Sequence, residues 1–270
     1  AGLPWLADDH GLFAGRSLSF RFYRAAEICW LRQADRVLVH SQYMRQCLLP
    51  AGVPARRLVH IPLAIDPEAL ARQVSADRQT LRARLGLEKE EPMLLAVGRL
   101  HPEKGHRYLV DALPTLRRAY PTLQLWLAGA GPLQLALARQ AATRGVAEAV
   151  HFLGYRTDIA DLLVAADVVV MPSLYEPFGM VLLEAMALAR PVVAAQAGGM
   201  TEVVLDGETG WLVPPASAEA LAQTLLAVLA DPNERARRAQ AGYTRVSQAF
   251  TIHTLVARIA QLYDEMTLGG

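Results

Sequence analysis

The sequence predicts an α/β protein built on a parallel, doubly wound sheet, preceded by a smaller, incomplete α/β unit. Three observations carry this reading. From residue 91 onward, strand-like runs alternate with helical patterns across short connections. The strand runs are almost continuously apolar, as strands covered on both faces must be. Glycines recur just beyond the strand ends, where ligands bind in such sheets.

In the first 66 residues, Ser19 to Arg32 has a helical pattern and Arg36-Val-Leu-Val-His40 reads as a strand. Ser41 is placed to cap a helix from Gln42 to Leu49, and Leu58-Val-His-Ile61 is another short strand. This is too little for a complete α/β domain. The chain starts at Ala1-Gly-Leu-Pro-Trp5 with neither an initiator Met nor a signal-peptide pattern, so it is expected to begin inside a domain. Residues 67–90 read as a polar helical linker to the main unit.

The main unit, residues 91–250, has six strand runs. They are Met93 to Val97, Leu123 to Ala128, Val150 to Leu153, Val168 to Met171, Pro191 to Ala195 and Gly210 to Val213. Helical patterns at Tyr108 to Ala119, Leu133 to Thr143 and Ile159 to Ala165 fall between them. Ser217 to Ala230 and Asn233 to Phe250 are further helices. The last, from Thr251 to Met266, carries an apolar stripe of Ile252, Leu255, Val256, Ile259, Leu262 and Tyr263.

Bulk properties exclude several functional classes. Apolar residues make up 53% and charged residues 20%, an ordinary globular composition. A net charge of +1, without a basic stripe, argues against nucleic acid. Cys29 and Cys47 make no disulfide framework, and no Cys/His cluster has metal-ligand spacing, so no metal is expected. A reducing cytoplasm fits, and no apolar run is long enough to span a bilayer. Arg16, Arg21, Arg24 and Arg32 lie among Phe20, Phe22, Tyr23 and Trp30, which leaves peripheral contact with a membrane surface open. An amphipathic helix packed within its own domain is the stronger reading of that segment.

The most informative segment is Glu176-Pro-Phe-Gly-Met-Val-Leu-Leu-Glu184. It follows a buried strand and opens a buried helix at Gly179, so several free N–H groups at the helix start can face a phosphate or diphosphate. Glu184 could accept from a pair of sugar hydroxyls, and Glu176 could reach a second polar group. Arg99 and Lys104, in Gly98-Arg-Leu-His-Pro-Glu-Lys-Gly105, leave the first main strand toward the same sheet edge and could neutralise a leaving diphosphate. Gly154-Tyr155 could bring backbone against a nucleobase, although a plain glycine turn fits that spacing equally well. Gly198-Gly199 offers another bare backbone approach, with Glu202 behind it as a helix-start residue. His101 and His106 read as local structure or solvent-facing.

Five motifs occur in order: Gly98-Arg99 with Lys104-Gly105, Phe152-Leu-Gly154, Glu176-Pro-Phe-Gly179 with Glu184-Ala-Met-Ala187, Gly198-Gly199 with Glu202, and Asp206-Gly with Thr209-Gly-Trp-Leu-Val213. Together they resemble the retaining GT-B glycosyltransferases often called family 4, or group 1. The resemblance implies one complete Rossmann-like donor domain, a remnant of a second Rossmann-like domain, and a final helix over residues 251–270 that crosses back to the remnant. It also implies that Arg99, Lys104 and the Phe178 to Val181 backbone hold a diphosphate, Glu184 the ribose, Glu176 the transferred sugar, and Gly154-Tyr155 the base. The donor is then a nucleotide-diphosphate sugar, with no metal or other cofactor, and the acceptor is a glycan, lipid or small molecule. The glycine-rich loop of the family's N-terminal domain has no counterpart here. His10, in Asp8-Asp-His-Gly11, is the early candidate for that domain's sugar-facing histidine, but no convincing strand pattern precedes it. The expectation is therefore a glycosyltransferase with an intact donor half, weakly active as this chain. A non-catalytic nucleotide-sugar-binding module, an inactive subunit and a related nucleotide-sugar epimerase are the alternatives.

Overall fold

The computed structural model describes residues 5–10, 18–88 and 90–268. The chain opens with β1 (Leu6–Asp9), α1 (Leu18–Leu31), β2 (Arg36–Val39), α2 (Gln42–Leu48) and β3 (Leu58–His60). Two short helices, α3 (Pro67–Ala71) and α4 (Arg78–Arg84), lead into β4 (Met93–Val97). The alternation continues through α5 (His106–Ala119), β5 (Gln124–Ala128), α6 (Gln134–Thr143), β6 (Val150–Gly154), α7 (Ile159–Ala165) and β7 (Val168–Met171). Then come α8 (Met180–Ala187), β8 (Val192–Ala195), α9 (Met200–Val203) and β9 (Trp211–Val213), followed by α10 (Ala218–Ala230), α11 (Pro232–Ala249) and α12 (Ile252–Leu268).

Two parallel sheets result: β1-β2-β3, and a six-stranded sheet in the order β6-β5-β4-β7-β8-β9. Strand alternation sends the larger sheet's side chains to two separate cores. Leu95, Val169, Met171, Val192 and Ala194 face one layer with Leu182, Leu183 and Met186 of α8 and Val246 of α11. Leu94, Ala96, Leu125, Leu127, Val168, Val170 and Val193 face the other, with Leu109, Leu113 and Leu116 of α5 and Leu221 and Leu225 of α10. Both faces are thus covered, which is why the strands read as unbroken apolar runs.

The segment expected as a linker is anchored to the larger unit. Arg78 and Arg82 of α4 pair with Asp167 at 2.6 and 3.1 Å, and Asp167 also accepts from Met93 N at 2.8 Å. Leu70, Leu81 and Leu87 join the core beneath.

Three differences from the sequence reading concern the smaller unit. A strand, β1, does precede His10; it pairs with β2, Asp8 beside Leu38 and Asp9 beside Val39. The apolar stripe of α12 is narrower than its pattern: Ile252, Val256 and Tyr263 are exposed, and the buried edge is Leu262 and Met266. With Leu255 and Ile259, these two pack on Leu38 and Ile61, so α12 crosses back and covers the face of the small sheet that α1 and α2 leave bare. Finally, Phe22, Tyr23 and Trp30 of α1 are exposed rather than packed inside the unit. The side chains of Phe20 and Arg21, and Arg16 itself, lie outside the described residues. Among the described residues, no helix is long and apolar enough to cross a membrane.

Candidate functional site

The order of the large sheet reverses between β4 and β7, because the chain leaves β4 toward β5 and leaves β7 toward β8. Two neighbouring strand ends whose connections part in this way open a crevice. Gly98 and Arg99 follow β4, and the loop from Pro172 to Gly179 follows β7. A cavity of about 340 Å³ lies there, lined by Gly98, Arg99, Lys104 and Glu176 through Val181. Its opposite wall includes His10 and His40 of the smaller unit.

Lys104 Nζ lies 2.6 Å from Glu176 Oε2, with both side chains mostly buried. Glu176 is therefore held by a cation rather than left free on its loop. Arg99 lies 3.2 Å from Glu103 Oε1, and Glu103 O accepts from Leu174 N at 2.7 Å, which ties the Lys104 turn to the Glu176 loop. Gly179, at φ +106°, turns the chain into α8, and no side chain caps that helix. Met180 and Val181, whose N–H groups have no carbonyl one turn earlier in the helix to pair with, both line the cavity.

Gly198 and Gly199 do not line this cavity; they stand behind the loop. Gly199 N donates to Glu176 O at 2.9 Å, and a Cβ on Gly198 would lie 2.0 Å from that same carbonyl oxygen. Their bareness permits close packing against residues 176–177. Gly154 and Tyr155 also lie outside the cavity, beyond the end of β6, with Tyr155 82% exposed. Glu184 sits one turn along α8, half-buried. Burial pushes its carboxyl above the usual range, and no hydrogen bond to its side chain occurs among the described residues.

Three functional features escaped the sequence reading. Glu202 does more than start a helix. Its carboxylate accepts from Gln42 N at 2.9 Å and Tyr43 N at 3.0 Å, capping α2 across the gap between the two sheets. Ser41 Oγ donates to Pro177 O at 2.7 Å beside it, so the smaller unit grips the Glu176 loop directly. His106 is buried rather than solvent-facing; burial, opposed in part by the backbone at Arg99, pushes its pKa down to about 4.

The third is a cluster of Asp8, His10 and His40, assembled where β1 and β2 end side by side. No linear spacing announced it. His40 Nδ1 donates to Ile61 O at 3.0 Å, while His40 Nε2 lies 2.9 Å from Asp8 Oδ1. Burial works to lower the His40 pKa, but the Asp8 carboxylate and the Ile61 carbonyl outweigh it and hold it above its ordinary value. Burial likewise works to raise Asp8, and His40 and His10 outweigh it and hold that carboxyl low.

The profile of the family described as Glycosyl transferases group 1 matches residues 77–245, and that of Glycosyltransferase Family 4 matches residues 1–69. The chain belongs to the glycosyl transferases group 1. Glycogen synthase of Mycobacterium tuberculosis is 35% identical over 269 residues, which is 97% of this chain and 63% of that protein. A GDP-mannose-dependent alpha-(1-6)-phosphatidylinositol monomannoside mannosyltransferase of Mycolicibacterium smegmatis is 37% identical over 240 residues, 85% of this chain and 62% of its own length. This group 1 chain thus spans somewhat less than two thirds of the curated relatives it matches. Among solved structures, Anabaena HepE in complex with UDP and glucose superposes with a TM-score of 0.87 at 30% identity, covering 97% of this chain and 71% of that one. The group 1 fold here is accordingly the GT-B arrangement of two Rossmann-like units facing a shared cleft, and the Gly98 to Glu202 motifs lie within the matched span.

Proposed function

We propose that the chain carries the donor site of a retaining glycosyltransferase, which moves a sugar from a nucleotide-diphosphate sugar to an acceptor hydroxyl. The observation that carries this is the convergence of Arg99, Lys104 and the uncapped start of α8 on one cavity at the sheet's switch point. That is the charge and hydrogen-bonding pattern a diphosphate requires. Similarity to HepE, bound to UDP-glucose in a related crystal structure, supports a nucleotide sugar. The GDP-mannose dependence of the M. smegmatis relative leaves the base open.

In this reading the bond between the sugar's anomeric carbon and the β-phosphate oxygen breaks while a bond from the acceptor oxygen forms on the same face. The acceptor's proton passes to the departing phosphate oxygen. Lys104 and Arg99 offset the charge gained by the nucleotide, so no step needs a metal ion. Glu176, oriented by Lys104, contacts the transferred sugar, and His10 and His40 face it from the other wall. Glu184 takes the ribose hydroxyls, and the backbone at Gly154-Tyr155 meets the base. The two glutamates bind; neither is an acid/base pair of the glycosidase kind.

Titration calorimetry with UDP, GDP and ADP tests the donor site, and at least one is expected to bind with a stoichiometry near one. Failure of all three would remove the basis for the proposal. Glu184→Ala is expected to weaken the preferred nucleotide by about ten- to a hundredfold, the worth of one hydrogen bond to a charged group. Inorganic pyrophosphate should bind the variant and the parent equally, since it has no ribose.

A further inference from the structure

We propose that Arg78, Arg190 and Arg235 form a second anion site, at the sheet edge opposite the donor cavity, which takes a phosphate group carried by a small polar molecule. Asp167 and Pro191 stand immediately before β7 and β8, and a cavity of about 340 Å³ opens there, lined by both of them and by the three arginines. Its charges do not balance. Among the described residues that line it, Asp167 is the one carboxylate, and it is already shared. Arg78 lies 2.6 Å from one of its oxygens, and the other takes Arg82 at 3.1 Å and Met93 N at 2.8 Å.

Arg190 and Arg235 have only carbonyl partners. Arg190 donates to Leu188 O at 3.1 Å and Val164 O at 3.5 Å, and Arg235 donates to Leu229 O at 3.1 Å. These bonds cap the last turns of α8, α7 and α10, and capping by itself would place a cation at each. It leaves most of the N–H groups on each guanidinium for a further acceptor. Glu90 and Glu91 share a neighbouring cleft with Arg235 but form no ion pair with it. Arg78 Nε is buried with no hydrogen-bond partner. Burial, and then the charge of Arg78, hold the Arg190 pKa below its ordinary value against the pull of Asp167, so capping sets two guanidiniums against each other. The turn that presents Arg190 is costly too. Ala189 sits at φ +50°, a conformation that L side chains rarely adopt, with Arg190 N donating to Ala185 O at 2.8 Å. A phosphate dianion supplies the missing charge and matches the guanidinium fork with paired oxygens. The cavity is larger than that ion, and Gln240 on its wall offers a polar contact to the carrier.

The site lies apart from the diphosphate cradle, so it stands or falls independently of the donor assignment. The test is an amide NMR titration of the isotope-labelled 270-residue chain with inorganic phosphate and with ribose 5-phosphate. It is repeated on Arg190→Gln, Arg235→Gln and Arg99→Ala, with circular dichroism to confirm folding. Saturable shifts are expected at Asp167, Ala189 and Ala236, with ribose 5-phosphate binding more tightly than inorganic phosphate. Arg190→Gln and Arg235→Gln should each weaken binding there by about tenfold or more, the worth of one hydrogen bond to a charged group, and Arg99→Ala should leave it unchanged. Arg235 is a half-buried residue on the outer helix α11, so its replacement reports on charge rather than on folding. Shifts confined to Gly98 and Met180, no saturable shift at Ala189, or affinity unchanged in both arginine variants would overturn the proposal. Ribose 5-phosphate binding no tighter than inorganic phosphate would overturn the part that concerns the carrier.

Discussion

Lys104→Met is expected to lower sugar transfer by about 10²- to 10³-fold, the usual cost of removing one fixed donor to developing transition-state charge. It should also weaken nucleoside diphosphate binding. The residue has two jobs that a single variant would confuse. It faces the cavity, and it neutralises Glu176, which is 9% exposed. Removing the ammonium strands a carboxylate, so the variant should also lose on the order of 1–3 kcal/mol of stability, less than for a fully enclosed pair because the cavity admits water. The double variant Lys104→Met with Glu176→Gln separates the two effects. Stability should return, since no charge is left unpaired, while transfer and diphosphate affinity should not. Recovery of diphosphate affinity in the double variant would show that Lys104 serves only to hold Glu176.

The second large effect concerns pH and His106. Its pKa in the fold is about 4, below the roughly 6.5 of an unfolded chain, because burial disfavours the imidazolium. Below pH 6.5 the unfolded chain takes up a proton that the folded chain refuses. Stability is therefore fully present above about pH 6.5, falls as the pH drops toward 4, and levels off below that. The full contribution is about 3 kcal/mol. Urea unfolding of the parent and of His106→Gln, at pH 7 and at pH 4.5, isolates it. Whatever the variant's absolute stability, the difference between the two proteins should move in the variant's favour by about 2–3 kcal/mol on acidification. Because His106 opens α5 directly beneath Arg99, acid should disturb the diphosphate side of the cleft before it disturbs the rest of the sheet. A parent-minus-variant difference that does not change with pH would rule out this account.

The six strands of the larger sheet were legible because each is a short, largely apolar run bounded by Gly or Pro, the four inner ones buried on both faces. The convergence of Arg99, Lys104 and the Glu176 loop was legible for a related reason: parallel α/β topology sends every strand's C-terminal end to one edge. What escaped was whatever depends on pairing between distant segments. Leu6-Ala-Asp-Asp9 does not look like a strand, since half of it is carboxylate, and only β2 beside it makes it one. His40 gains its meaning from Asp8 and Ile61, which the sequence does not place near it. Glu202 looks local, yet its partners are the N–H groups of a helix in the other unit. Gly198 and Gly199 were read as a close backbone approach, but their packing on the Glu176 and Pro177 carbonyls was not legible, because a bare backbone does not say what it approaches.

The crossing of α12 onto the small sheet bears on how the chain is made. Leu38 and Ile61 leave the ribosome before the whole of the larger unit, and the Leu262 and Met266 that cover them come after it. During synthesis, one face of that sheet stays wet while the larger unit is completed behind it. The smaller unit is thus finished after the larger one although it is translated before it, and its final assembly waits on a long-range closure. A ribosome-stalled chain ending before α12 should hold a protease-resistant β4–α11 body with a β1–α2 region that is still readily cut.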